Sequence, residues 1–140
     1  MTATQYVLGF AFDDVGRVAL IHKARPAWQA NQWNGIGGHI EEGESSRDAM
    51  EREFFEETGV RLDASLWTRF GRMHGQVGFE VDLYTIVHER IRDVQTATDE
   101  EVKLFCMWQL PQMMIDNVAS LIHLSILCSK GDPQVAIEYK

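Results

Sequence analysis

Residues 51–60, EREFFEETGV, bring several carboxylates close together. On an α-helix, which turns by about 100° per residue, Glu53, Glu56 and Glu57 share one face, and Glu51 points nearly the opposite way. Like charges at this spacing repel one another by roughly 0.2–0.5 kcal/mol per pair. A divalent cation would remove that repulsion, and an all-oxygen site of high charge suits Mg²⁺ or Mn²⁺. The alternative interpretation is a solvated acidic face that binds nothing.

A helix from Ser45 or Ser46 to about Thr58 is predicted to carry these carboxylates. A serine suits the N-cap, where its hydroxyl accepts from a free backbone amide, and Gly59 suits the left-handed conformation that ends a helix. Beside the acidic face lie four apolar residues that we expect to be buried: Ala49, Met50, Phe54 and Phe55. The helix is therefore predicted to pack through an apolar stripe and to offer its carboxylates along the adjoining edge.

The other elements are predicted from alternating apolar residues and turn signals. Strands are predicted at 5–12, 18–23, 35–40, 66–74, 79–87 and 101–108, and a second helix at 117–128. A long loop at 24–44, rich in Gly and Trp, precedes and runs into the acidic helix, and loops of this length are often functional. Mixed strands with two helices predict one α/β domain spanning residues 1–140.

The overall charge limits the partners that this chain can bind. The 140 residues carry a net charge of −8, which opposes nonspecific binding to nucleic-acid polymers and to anionic membranes. No run approaches the roughly 18 apolar residues of a membrane span, and the N-terminal segment resembles a strand, not a signal peptide. Cys106 and Cys128 have no CxxC pairing and are predicted to be buried thiols, which fits a reducing cytoplasm. A polyanionic substrate would need intervening cations.

The acidic helix and the loop before it, residues 38–60, resemble the signature of the Nudix family. All of its defining places are filled, by Gly38, Glu44, Arg52, Glu53, Phe54, Glu56, Glu57, Gly59 and Val60. Phe54 is bulkier than the aliphatic residue usual at its place. A weaker resemblance to the compact MutT-like nucleoside triphosphatases extends over 18–23, 33–44 and 99–113. The resemblance implies a Nudix-type α/β/α sandwich with a mixed central sheet, one catalytic helix and a C-terminal helix.

The resemblance also implies a metal site. Members of the family hydrolyse a nucleoside diphosphate linked to another group, X, with Mg²⁺ as cofactor and Mn²⁺ able to substitute. The implied ligands are the backbone carbonyl of Gly37 and the side chains of Glu53, Glu56 and Glu57. A further carboxylate from a distant loop is expected to complete the site, and of Asp99, Glu100 and Glu101 we favour Glu100 or Glu101. The alternative for this acidic run is a solvated turn before a strand.

Two further roles follow from the same resemblance. Either Glu53 or Glu56 is implied as the base that activates the attacking water, and we favour Glu53. Arg52 is implied either as a directly catalytic side chain or as the structural partner of Glu44, and we favour the ion pair, which would lock the loop to the helix.

Candidate phosphate contacts lie on both sides of the glycine-rich loop. Lys23 and Arg25 could meet phosphate oxygens, and His39 occupies a place where related triphosphatases commonly carry Lys. Gly38 and its neighbour Gly37 would allow a ligand to approach the backbone closely. The alternatives are ordinary surface side chains and a tight loop without a ligand.

Candidate base contacts come from the same loop and from the start of the second helix. The stretch WNGIGG resembles the oxidised-purine triphosphatases, in which the Asn reads the base, so Trp33 and Asn34 are candidates for stacking and hydrogen bonding. Asp116 and Asn117 stand near where those enzymes carry base-reading acids, although their Trp-Pro-Asp-Asp pattern is absent here. The alternatives are core packing for Trp33 and a turn for Asn34.

The favoured function is hydrolysis of a nucleoside triphosphate, oxidised or non-standard nucleotides included, to the monophosphate and pyrophosphate. Alternative substrates are ADP-ribose, a nucleotide sugar or a dinucleoside polyphosphate. A non-catalytic module that senses a nucleotide is the alternative of another class. The predicted partner is a small-molecule nucleotide, and the chain is predicted to be a monomer or a homodimer.

Overall fold

The computed structural model describes residues 3–75, 78–129 and 135–139. Its strands and helices are, in chain order, β1 (Thr4–Phe12), β2 (Val18–His22), β3 (Trp33–Asn34), β4 (Ile36–His39), α1 (Ser46–Thr58), β5 (Thr68–Gly75), β6 (Phe79–Val87), β7 (Val102–Phe105), α2 (Val118–Cys128) and β8 (Val135–Tyr139). Short 3-10 helices cover Ala27–Gln29, Ala64–Leu66 and Glu89–Asp93. Among the described residues, no helix combines the length and the hydropathy needed to cross a membrane.

One mixed sheet occupies the centre of the structure. Its strand order is β3-β2-β1-β6-β5-β8, with β4 also paired to β1 and β7 to β2. β1 runs parallel to β6, and β5 parallel to β8, whereas the remaining pairs are antiparallel. On the edge of β1 away from β6, residues 6–9 pair with β4 and residues 11–12 with β2. This division of β1 brings the glycine-rich strand β4 into the middle of the fold.

The two α-helices cover opposite faces of the sheet. Met50 and Phe54 of α1 share a buried cluster with Ala11 of β1, whereas Ile122 of α2 shares another with the adjacent residue Phe12. Successive residues of a strand point to opposite faces, so one strand supplies both clusters. This arrangement confirms the predicted α/β sandwich, with its mixed sheet, its acidic helix and its second helix.

The bounds of α1 agree with the predicted helix. The hydroxyl of Ser45 accepts a hydrogen bond from the backbone amide of Asp48 at 3.1 Å, and Gly59 ends the helix in the left-handed conformation with φ of 76°. The bulky Phe54 is accommodated because it is fully buried and meets the edge of Trp67, with ring centroids 5.2 Å apart.

The prediction that Phe55 is buried is wrong. Its side chain is 39% exposed, and the guanidinium carbon of Arg61 lies 4.2 Å from the centre of its ring. The cation covers the ring in place of the sheet. The thiol prediction is also only partly right, because Cys128 is buried but Cys106 is half-buried; neither forms a disulfide.

Some strands differ from the sequence-based boundaries. The strand predicted at 66–74 begins at Thr68, because residues 64–66 form a 3-10 helix. The strand predicted at 101–108 ends at Phe105, where the chain turns and the amide of Gln109 donates to the carbonyl of Cys106 at 3.0 Å. The short strand β3 and the late strand β8 were not predicted.

Candidate active site

Two glycines of β4 allow close packing, Gly37 against β1 and Gly38 against α1. A Cβ atom added to Gly37 would lie 1.9 Å from the carbonyl oxygen of Val7, and one added to Gly38 would lie 2.5 Å from the carboxylate of Glu53. Non-bonded heavy atoms normally stay about 3.5–4.0 Å apart, so neither position accepts a side chain without displacement. At Gly37 the obstacle is backbone, so packing alone requires a glycine there, whereas at Gly38 the obstacle is the end of the Glu53 side chain, which would have to move.

Arg52 lies at the centre of the acidic cluster. Its Nε and Nη2 donate to both carboxylate oxygens of Glu44, at 2.7 and 2.9 Å, and its Nη1 donates to Glu53 at 2.9 Å. Nη1 also lies 3.4 Å from the carboxylate of Glu56, and Nη2 donates to the carbonyl of His39 at 3.0 Å. The ion pair between Arg52 and Glu44 thus joins the loop to the helix, in the geometry expected from the sequence.

The carboxylates of α1 differ in their surroundings. The side chain of Glu53 is 13% exposed, whereas that of Glu56 is 52% exposed. Burial raises the pKa of Glu53, and the nearby charges of Glu56 and Glu57 raise it further, although Arg52 opposes the shift. Burial likewise raises the pKa of Glu57. The cluster therefore holds charge in a partly desolvated place, where a cation would stabilise the ionised forms.

Glu57 reaches a different partner from Glu53. The Thr98 hydroxyl donates to a carboxylate oxygen of Glu57 at 3.1 Å. Burial raises the pKa of Glu57, and the charge of Glu100 adds to that upward shift. Sequence reasoning missed Thr98; the only available signal was a hydroxyl residue just before the acidic run 99–101.

The three acidic candidates at 99–101 have distinct environments. Glu100 is 4% exposed, and its carboxylate accepts from Lys23 Nζ at 3.1 Å and from the Ala24 amide at 2.6 Å. Burial favours the neutral form of Glu100, but these hydrogen bonds hold its pKa below the ordinary value. Glu101 lies 3.8 Å from Lys103 Nζ, and Asp99 forms an exposed ion pair with Arg25. The charge of Glu100 is among the causes that raise the pKa of Glu57.

The candidate phosphate-binding cations already have acidic partners. Lys23 binds Glu100, and Arg25 binds Asp99. An ammonium has three N–H donors and a guanidinium has five, so each side chain keeps donors for a phosphate while it is paired. The exposed ring of His39 lies against Tyr6, with centroids 4.4 Å apart.

The donor set fits a divalent cation, although the side chains are not gathered around one point. Within residues 3–75, 78–129 and 135–139, no three His, Cys, Asp or Glu side chains form an arrangement that could hold a metal ion. In the structure Arg52 donates to Glu53 and lies 3.4 Å from Glu56, whereas Thr98 donates to Glu57. All-carboxylate donors with raised pKa values at Glu53 and Glu57 nonetheless fit Mg²⁺ or Mn²⁺.

The candidate base contacts are brought together by β3. The Trp33 amide donates to the carbonyl of Met113 at 2.7 Å, and the Ile115 amide donates to the carbonyl of Trp33 at 3.1 Å. This pairing brings the exposed residues Asp116 and Asn117 near the strand that carries Asn34.

Both β3 side chains also have structural contacts. The ring of Trp33 packs between His22 and Phe105, at centroid distances of 4.8 and 4.9 Å. The side-chain oxygen of Asn34 accepts from the Gly35 amide at 2.7 Å, which leaves its amide nitrogen with a long contact of 3.5 Å to Gln29. The turn role of Asn34 and the packing role of Trp33 are therefore present, and neither prevents contact with a ligand through the remaining polar atoms and ring surface.

Comparison with known proteins identifies relatives of this fold and this site. A mouse (Mus musculus) protein, oxidized purine nucleoside triphosphate hydrolase, is 45% identical over 93 residues, covering 60% of this chain and 54% of the mouse protein. The chain thus spans about half the length of that relative. The MutT NUDIX hydrolase of Burkholderia pseudomallei superposes with a TM-score of 0.73 at 19% identity, covering 89% of this chain and 98% of that one.

A second solved structure extends the range of ligands among the fold's neighbours. The NUDIX domain of Shewanella oneidensis NrtR, in complex with ADP ribose, superposes with a TM-score of 0.72 at 19% identity, covering 91% of this chain and 88% of that one. At such identities the likeness concerns the fold. The sequence profile of the NUDIX domain matches residues 3–123, which include all of β1 to β7, α1 and the first half of α2. Together with the complete signature on α1 and its loop, this match shows that the chain belongs to the Nudix family.

Proposed function

We propose that this chain is a divalent-metal-dependent hydrolase of nucleoside triphosphates, releasing the monophosphate and pyrophosphate. The observation that carries the proposal is the geometry of the signature: Gly38, Arg52 and Glu44 fix the carboxylate of Glu53 at the edge of a partly desolvated acidic cluster. The 45% identity to the mouse oxidized purine nucleoside triphosphate hydrolase supports the same substrate class. The cofactor proposed is Mg²⁺, with Mn²⁺ as a substitute.

In this proposal the acidic cluster holds the cation. Glu53, Glu56 and Glu57 are the side-chain ligands, with the Gly37 carbonyl beside them and Glu100 as the candidate from the distant loop. A bound Mg²⁺ would neutralise phosphate charge and lower the pKa of a bound water. Glu56, half exposed and only weakly held by Arg52 at 3.4 Å, can turn toward the cation at the lowest cost.

Proton transfer and orientation fall to the remaining residues. Glu53 is the proposed general base, because burial raises its pKa and its position is fixed by Arg52. Arg52 orients Glu53 and does not touch substrate. Lys23 and Arg25 bind phosphate oxygens through N–H donors that their carboxylate partners do not use, with the backbone at Gly38 and the ring of His39 nearby.

The base is proposed to bind at β3, between Trp33 and Asn34 on one side and Asp116 and Asn117 on the other. Residues 113–117 read Met-Met-Ile-Asp-Asn, so the Trp-Pro-Asp-Asp pattern expected for oxidised-purine readers is not available. We therefore propose purine nucleoside triphosphates as the substrate class. Whether the oxidised purines are preferred within it is tested by comparing them with the normal ones. ADP-ribose remains the second candidate, since a domain of the same fold binds it. The two free thiols support a reducing cytoplasm, and the chain is proposed to act as a monomer or homodimer.

The test is hydrolysis of a nucleotide panel with Mg²⁺, comparing normal and oxidised purine triphosphates, pyrimidine triphosphates and ADP-ribose. We expect triphosphate turnover with pyrophosphate as product, abolished in Glu53→Gln. The matched control is Glu51→Gln on the opposite side of the same helix, which should retain turnover. If only ADP-ribose were cleaved, nucleoside triphosphates would be rejected as the substrate class in favour of ADP-ribose. Nucleotide binding without turnover by the wild-type protein would favour a sensing module.

A further inference from the structure

The loop at 94–101 is docked on the C-terminal end of α1 by its backbone. The amide of Gln95 donates to the carbonyl of Thr58 at 3.1 Å, and the amide of Ala97 donates to the carbonyl of Glu57 at 3.3 Å. These bonds bring a segment some forty positions distant in sequence against the last turn of the acidic helix. They place the loop without involving any of its side chains.

A single hydroxyl then connects that loop to the acidic cluster. Oγ of Thr98 donates to Glu57 Oε2 at 3.1 Å and accepts from the backbone amide of Glu100 at 3.1 Å. A hydroxyl carries one proton, so the bond accepted from Glu100 leaves that proton for the carboxylate. The two bonds also polarise each other in the same direction. The hydrogen bond from Thr98 thereby fixes the orientation of the Glu57 carboxylate.

The second carboxylate, that of Glu100, is fixed by residues at the end of β2. The Glu100 side chain is buried and held by Lys23 and by the Ala24 amide, so it cannot follow Glu57 if Glu57 moves. Thr98 is therefore the link that maintains the relative position of Glu57, from α1, and Glu100, from the loop.

We infer that Thr98 is a positioning residue, which holds the carboxylate of Glu57, a proposed ligand of the divalent cation, in a fixed orientation relative to the loop that carries Glu100. The inference rests on the proposed function of the acidic cluster. Groups that hold a ligand side chain through a hydrogen bond typically change metal affinity by about 10–100-fold when removed. Because Thr98 is exposed to solvent, the lower end of that range, about tenfold, is expected here.

The experiment compares three variants of the full chain with the wild type. Thr98→Val removes the hydroxyl and keeps the shape, and Thr98→Ser restores the hydroxyl. Thr96→Val is the matched control, because Thr96 accepts from the Val102 amide at 2.9 Å and anchors the same loop to β7. The readouts are Mn²⁺ affinity by calorimetry on metal-free protein, urea unfolding, and kcat and KM at limiting and saturating Mg²⁺.

We expect Thr98→Val to bind Mn²⁺ about tenfold more weakly and to need about tenfold more Mg²⁺ for half-maximal turnover. Its KM for the nucleotide should be unchanged at saturating Mg²⁺. Thr98→Ser should match the wild type, and Thr96→Val should lose stability without losing Mn²⁺ affinity. Equal Mn²⁺ affinity in Thr98→Val and wild type would overturn the inference and leave the proposed function intact. Weakening of the same size in Thr96→Val would also overturn it, because anchoring the loop would then suffice. A wild-type protein without Mn²⁺ affinity would overturn both.

Discussion

Replacing Gly38 with alanine should displace the proposed catalytic base without touching it chemically. The added Cβ would stand 2.5 Å from both Cδ and Oε1 of Glu53, and 2.7 Å from Oε2. Since such atoms normally keep about 3.5 Å apart, the carboxylate must recede by about 1 Å. Its hydrogen bond to Arg52 is 2.9 Å long, so a shift of that size breaks the bond unless Arg52 leaves Glu44.

The expected result is a large loss of turnover and a smaller loss of stability. A 1 Å misplacement of a reacting group can lower the rate by about 100-fold, so kcat/KM of Gly38→Ala should fall by about that factor. Overpacking costs about 1–3 kcal/mol in the free energy of unfolding, which urea titration measures. Hydrolysis is measured at saturating Mg²⁺, so that weaker metal binding does not account for the loss.

Two comparisons isolate the steric cause. Gly43→Ala meets no atom within 4 Å but has φ of 80°, so it should lose stability through backbone strain alone and keep its turnover. In a Glu53→Asp background the carboxylate is one methylene shorter, and the stability cost of Gly38→Ala should shrink. Full turnover in Gly38→Ala, or an unchanged stability cost in the Asp background, would refute this reasoning.

Three further predictions concern charge. Arg52→Gln leaves Glu44 and Glu53 without their guanidinium, so it should lower the free energy of unfolding, measured in urea, by about 1–3 kcal/mol and should lower turnover. Arg52→Lys should not restore turnover, because an ammonium lacks the planar fork of a guanidinium. Asp13 is buried, yet hydrogen bonds from the backbone and side chain of Arg17 hold its pKa below the ordinary value. The ionised Asp13 therefore stabilises the fold above the unfolded pKa of about 3.9, and this stabilisation is lost at lower pH. The difference in free energy of unfolding between wild type and Asp13→Asn should shrink below about pH 4, and a constant difference would contradict this. Metal-free protein should unfold cooperatively in urea, and Mn²⁺ at 100 times its dissociation constant should add about 2.7 kcal/mol.

The features that sequence predicted best are those with local causes. α1 has its cap at Ser45 and its left-handed end at Gly59, and both signals lie next to the helix that they bound. The pairing of Arg52 with Glu44 also follows from a short spacing within one motif. Phe55 shows the limit of periodicity, because its exposure depends on Arg61 covering the ring, two residues after the helix has ended.

The features that sequence did not predict depend on contacts between distant segments. β3 has two residues, and its pairing partner is the stretch at 113–115, so no local pattern could define it. The contact of Thr98 with Glu57 spans 41 positions and becomes visible only when the loop is docked on α1. The side-chain partner of Lys23 likewise comes from the loop at 94–101, so Lys23, a candidate phosphate contact, is found paired with Glu100.

The structure separates the parts of the signature that the fold itself needs from those that it does not. Gly38 makes room for Glu53, Glu53 and Glu44 occupy the donors of Arg52, and each of these residues therefore has a packing reason to be present. Glu56 is half exposed and has only 3.4 Å contacts to a guanidinium that is already bonded, while burial makes the ionised form of Glu57 unfavourable. These carboxylates add charge repulsion to the helix, and we propose that their role is to bind a divalent cation. Such a cation would stabilise them together, since it matches their charge and their oxygen donors.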